Sequence, residues 1–121
     1  MGCVKYIALV LCAFGLLPAV EREGNFNIRF EPTAKLQTGV EVPFEIRITD
    51  ALRKALPDAK VTLEIDTSQH EHATSFPAPA VGPGVYVAKP IFPESGEWNV
   101  YVQARRAGEM SARTIQFNVP E

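Results

Sequence analysis

Apolar and polar residues alternate with a period of two over most of the chain after residue 25, and that period belongs to strands whose side chains point alternately to the two faces of a sheet. Phe26, Ile28 and Phe30 alternate with Asn27 and Arg29, and the run stops at Pro32. Val42, Phe44, Ile46 and Ile48 alternate with Glu45, Arg47 and Thr49 as far as Asp50. Pro43 cannot donate to a ladder, so it marks an edge, a bulge or the first residues of that second strand. Val61, Leu63 and Ile65 then face one way, with Thr62, Glu64 and Asp66 facing the other. The last strand, from Ser111 to Val119, places Ile115, Phe117 and Val119 on one face and Thr114, Gln116 and Asn118 on the other.

The stretch from Gly82 to Val102 organises the rest, because it holds the single tryptophan, Trp98, and two of the three tyrosines, Tyr86 and Tyr101. Two alternating runs flank the turn Pro93-Glu-Ser-Gly96, which reads as two strands and a tight connection. With Trp98 inward, Val100, Val102 and Ala104 are inward as well, and Asn99, Gln103 and Arg105 face water. Tyr101 is out of phase with Trp98 and therefore exposed, which makes it a contact candidate. Tyr86 follows Pro83-Gly84 closely enough for its hydroxyl to tie down a loop in the manner of a tyrosine corner.

Residues 51–60 alone have helical colour. Asp50 could cap them, Leu52, Ala55 and Leu56 share a face, and Pro57 ends the pattern. The stretch is too short for more than a turn or two and reads best as a connection between sheets. From Thr67 to Gly84 the alternation fails, so either a poorly patterned strand hides around residues 69–76 or this is a functional loop. Arg105-Arg-Ala-Gly-Glu109 reads as a solvated hairpin tip. Six or seven short strands separated by regular turn signals predict an all-β, immunoglobulin-like antiparallel β-sandwich of about seven strands, without the Cys…Trp…Cys signature of true immunoglobulin domains.

The first 20 residues stand outside this pattern. Lys5 precedes an apolar run from Ile7 to Leu17, and Pro18-Ala19-Val20 leads into charged residues, which is the layout of a secretory signal peptide. Eleven apolar residues fall short of the roughly 20 needed to span a bilayer, although an uncleaved leader would serve as a short anchor. The expected organisation is thus a leader over 1–20 and one domain over 21–121, exported to the periplasm or beyond. Both cysteines, Cys3 and Cys12, lie in the leader, so the mature chain has no disulfide and no thiolate ligand. The formal net charge is −2, and −3 without Lys5, which offers nothing to nucleic acid or an anionic membrane.

Leu56-Pro-Asp-Ala-Lys-Val61, the histidine segment after it, Pro83-Gly-Val-Tyr86 and Gly96-Glu-Trp-Asn-Val100 together resemble the extracytoplasmic YtkA-like and FixH-like domains. The resemblance implies a small β-sandwich outside the cytoplasm, tied to copper handling or to assembly of copper-containing oxidases. Relatives place methionine and histidine in the loop after the third strand; this chain has His70 and His72 there and no methionine.

His70-Glu71-His72 is the cluster with metal-ligand character. In an extended chain its imidazoles fall on one face, about 6.6 to 7 Å apart at the backbone, and strand parity carried on from Asp66 puts both on the water face. With Asp66 or Glu64 beside them they suit copper(II) above nickel or zinc. The competing reading is a pair of solvated loop histidines. Catalysis finds no support, because Ser68, Ser75 and Ser95 sit in nothing like a nucleophile elbow. Three classes of function remain: a non-enzymatic copper accessory domain with a metal ion or an unknown protein as partner, a metal-independent module binding protein or polysaccharide through sheet edges or Tyr101, and a purely structural accessory subunit.

Overall fold

The computed structural model describes residues 22–24, 26–67, 69 and 73–121. The leader expected over 1–20, and both histidines, lie outside the described residues. The strands are β1 (Arg22–Glu23), β2 (Asn27–Pro32), β3 (Phe44–Thr49), β4 (Lys60–Thr67), β5 (Thr74–Pro77), β6 (Ala80–Gly82), β7 (Val85–Ala88), β8 (Gly96–Arg106) and β9 (Glu109–Val119). They form a five-stranded sheet in the order β1-β9-β8-β4-β5 and a four-stranded sheet in the order β2-β3-β7-β6. All pairings are antiparallel except β1 with β9, a parallel pair that the sequence pattern does not anticipate.

Alternation decides the faces. Ile28 and Phe30 on β2, Phe44, Ile46 and Ile48 on β3, Val61, Leu63 and Ile65 on β4, and Trp98, Val100, Val102 and Ala104 on β8 are all buried between the sheets. Aromatic rings join the two layers. Phe44 of β3 meets Phe117 of β9 edge-on with centroids 5.4 Å apart, and Phe92 meets Trp98 at 5.6 Å. Offset and edge-on pairs of this kind add to the gain from burying the rings. Trp98 is 1% exposed, and its indole N–H donates to the Glu94 carbonyl at 2.9 Å, so the one polar atom of the ring is satisfied.

The two runs on either side of Pro93 do not pair with each other. β7 lies between β3 and β6 in one sheet, and β8 lies between β4 and β9 in the other. Residues 89–95 cross from sheet to sheet and are pinned on the way, where Val42 N–H donates to Pro90 O and Gly39 N–H to Phe92 O, both at 2.9 Å. That pinning buries Phe92.

The unpatterned region contains a second crossing. β5 pairs with β4, and β6 pairs with β7, so the chain changes sheets at Pro77-Ala78-Pro79. Ala78 is buried there and donates its N–H to Val61 O at 3.1 Å, while Pro79 O accepts from Val87 N–H at 3.1 Å. Two prolines suit the switch because neither has an N–H to lose from a ladder. Pro83-Gly84 then turns the chain into β7, with Gly84 at φ +70°. A Cβ on Gly84 would stand 2.6 Å from Ala55 Cβ, so glycine is required twice over.

Residues 50–59 hold no helix. The Asp50 carboxylate accepts from the N–H groups of Leu52 (2.8 Å) and Lys54 (2.9 Å), closing a tight turn that competes with helical bonding. Leu52 is 78% exposed, so the apolar face expected of a helix is absent, and Leu56 alone of that set enters the core. The stretch is held in two places. Tyr86 Oη donates to Leu56 O at 2.6 Å and accepts from Ala59 N–H at 3.0 Å, as a tyrosine corner should. Arg106 at the β8–β9 hairpin pairs with Asp58, so that tip is engaged rather than merely solvated.

Candidate functional site

The outer face of the five-stranded sheet carries the described residues that sequence singled out for binding. Asp66 is near the end of β4 and Tyr101 is in the middle of β8. Register brings them together: Tyr101 lies between Glu64 and Thr114, and Asn99 lies between Asp66 and Gln116. Glu64, Asp66, Asn99, Tyr101, Gln103 and Thr114 line one shallow concavity of about 620 Å³. Its half-buried phenol is framed by two carboxylates and two amides. Sequence parity found Tyr101 and Asp66 separately; only the strand order shows that they share a surface.

His70 and His72 belong to the segment between β4 and β5. Ile65 pairs with Thr74, so the chain reverses between these residues and β4 ends at Thr67. The expected placement of His70 and His72 on one extended face falls on residues outside those described. β5 pairs antiparallel with β4, and its Ser75 stands beside Glu64 in register. Asn99 Nδ2 donates to Thr67 O at 3.3 Å, which fixes the last residue of β4 to the same outer face.

Among the described residues at this end of β4, Glu64 and Asp66 supply carboxylate oxygens on the outer face. Among the described residues no group of three or more His, Cys, Asp or Glu side chains is arranged to hold a metal ion. Met110 is the one sulfur after the leader, and it pairs with Arg105, which faces Lys60 at the start of β4. Lys60 is six residues from Asp66, roughly 20 Å at strand spacing, so the thioether is remote from the hairpin. Oxygen and imidazole without sulfur fit copper(II) and not copper(I).

Around Asp58, across the molecule, the Arg106 guanidinium holds the carboxyl below its ordinary value of 3.8, chiefly through their hydrogen bond. Both groups are exposed and belong to the fold rather than to this face.

Two open sheets packed over an aromatic core, with consecutive strands passing between layers and no cysteine among the described residues, define an immunoglobulin-like antiparallel β-sandwich domain. Residues 21–103 match the YtkA-like family model, and the chain belongs to that family. Among solved structures it is similar to a DUF4426 family protein from Pseudomonas aeruginosa PAO1, at 17% identity over 82% of this chain and 92% of that one, with a TM-score of 0.47. No curated protein matches the chain.

Proposed function

We propose that this chain is an extracytoplasmic, non-enzymatic accessory domain that handles copper, taking copper(II) as cargo at the β4–β5 hairpin through His70, His72 and Asp66. One observation carries the reading. Asp66 lies on the outer face of β4, lines the Tyr101 concavity, and precedes both histidines by a few residues in the sequence between β4 and β5. Membership of the YtkA-like family supports it, as does a donor set with imidazole and carboxylate but no nearby sulfur. Two imidazoles and one carboxylate give a site of modest affinity, suited to passing a metal on. Because protons compete for neutral imidazole, binding should weaken as pH falls below about 6.5.

Calorimetric titration with copper(II) tests this. Wild type should bind more tightly than it binds zinc, His70→Ala and His72→Ala should each abolish most of the binding, and Asp66→Asn should weaken it less. Unchanged copper(II) binding in both histidine variants would dismiss the site.

The concavity around Tyr101 supports a second reading, a metal-independent contact with a protein or polysaccharide. Its phenol and paired amides offer donors and acceptors to a polar partner. If that reading holds, Tyr101→Ala should lose the partner while copper(II) titration of the same variant stays unchanged.

A further inference from the structure

A second concavity, of about 730 Å³, lies on the opposite side of the molecule, and four of the seven arginines in the sequence line it. They come from separate elements. Arg29 on β2 and Arg47 on β3 are direct partners in register on the outer face of the four-stranded sheet. Arg113 comes from β9 of the other sheet, opposite Val102, and Arg53 comes from the turn after β3. Among the described residues no carboxylate lines this cleft, although the chain as a whole is acidic.

Three features mark the cleft as built for a ligand. Directly opposed residues on one face of an antiparallel pair have their Cβ atoms about 4.5 to 5.5 Å apart, where like charges destabilise the sheet. Arg29 and Arg47 stand in that arrangement, relieved only in part by the ion pair of Arg47 with Glu45. Secondly, Arg53 adopts φ 65° in a turn closed by its own N–H to Asp50 O at 2.9 Å, a position where glycine is the unstrained choice. This strained residue lines the cleft. Thirdly, donors are left over. Among the described residues neither Arg29 nor Arg53 has a side-chain partner. Arg113 spends Nη1 on Ile28 O at 2.9 Å, and Arg47 spends Nε on Glu45 at 3.1 Å, out of five N–H donors each.

We propose that this cleft binds a phosphate group. Guanidinium forks recognise both carboxylate and phosphate, but a planar carboxylate offers two oxygens to at most two forks. Four arginines lining one cleft from two sheets and a turn offer more donors than a carboxylate can use, and suit a tetrahedral group with more oxygens and nearly two negative charges. Thr49, on the same face as Arg47, adds a hydroxyl. Glu45 and Glu31 lie one step along the same strands, in an adjoining depression, and Glu45 competes with the anion for Arg47. The site is distinct from the copper proposal, since the arginines lie on β2, β3 and β9 and not at the β4–β5 hairpin.

Titration of the purified protein with inorganic phosphate at low ionic strength, followed by backbone amide NMR, tests it. Shifts should saturate, centre on residues 26–29, 47–53 and 112–113, and weaken with added salt. Arg29→Ala and Arg53→Ala should each weaken binding several-fold, and Glu45→Gln should tighten it. Arg53→Gly separates function from folding, because it should weaken phosphate binding while raising the thermal midpoint of the unliganded protein. Vesicles of phosphatidylglycerol and of phosphatidylcholine locate the source. Cosedimentation with the former alone, lost in Arg29→Ala, would assign the phosphate to a lipid headgroup; saturating shifts with inorganic phosphate and no cosedimentation would assign it to a soluble ligand. Shifts spread equally to Arg105 and Arg106, or binding untouched by Arg29→Ala and Arg53→Ala, would overturn the proposal.

Discussion

Tyr86 shows how one hydroxyl can organise a connection. It is buried, and its Oη satisfies both a carbonyl at Leu56 and an N–H at Ala59, groups that would otherwise be stranded near the core. Tyr86→Phe removes one oxygen and leaves both backbone groups unpaired, so it should cost about 1 to 3 kcal/mol in a denaturant melt. A loss below the error of that melt would mean that water replaces the hydroxyl. Trp98→Ala should cost more, about 3 to 5 kcal/mol, because it empties a site ringed by Phe92 and the inner faces of both sheets. Wild-type tryptophan fluorescence should accordingly be blue-shifted and poorly quenched. At this scale the sequence was informative where phase alone decides, as for Trp98 inward and Tyr101 outward. It could not show that Arg113 keeps the inward phase of Ile115 and Phe117 yet reaches past the edge of the core to Ile28 O, because that depends on where the opposite sheet ends.

At the scale of elements, the long alternating strands β3, β4, β8 and β9 are legible because each has one wet face and one dry one. β5 and β6 are not. They are edge strands of four and three residues whose side chains are mostly exposed, so no apolar alternation marks them, and the prolines at 77 and 79 read as loop. Their function as a sheet switch is visible only in the pairing. The separation of β7 from β8 was hidden for a related reason, since a connection that crosses the core and one that closes a hairpin can share the same Pro-Glu-Ser-Gly letters. The β8–β9 hairpin was legible, and it supports a test. Ala107 and Gly108 have φ values of 53° and 78°, a type I′ turn in which alanine is strained and asparagine is favoured. Ala107→Asn should therefore raise the thermal midpoint, by roughly 1 kcal/mol in stability. A lowered midpoint would contradict the turn assignment. The same hairpin carries Arg106 to Asp58. A carboxyl whose folded pKa is depressed stabilises the fold above its unfolded value and loses that contribution as pH falls through the folded one, so the effect of this pair should start to decline as pH drops through the ordinary value of 3.8 and be gone only below the depressed folded pKa. Asp58→Asn should make the acid limb of stability shallower there and leave the neutral region nearly unchanged, because the pair is exposed.

At the scale of the whole molecule, the described residues present two chemically opposite surfaces on one β-sandwich. Glu64, Asp66 and Tyr101 face outward from the five-stranded sheet, and Arg29, Arg47, Arg53 and Arg113 gather at the other sheet and its junction with β9. Neither surface is contiguous in sequence; each is assembled by strand order, which is why composition and net charge conceal them. The copper reading depends most on the hairpin that follows β4. Electron paramagnetic resonance of the protein loaded with an equimolar amount of copper(II) at neutral pH tests it most directly. The expected spectrum is that of a single type of bound copper(II) with nitrogen superhyperfine structure from two imidazoles, reduced to one in His70→Ala and in His72→Ala. A spectrum of aquated copper, or nitrogen couplings unchanged in those variants, would contradict the assignment of His70, His72 and Asp66 as the copper site.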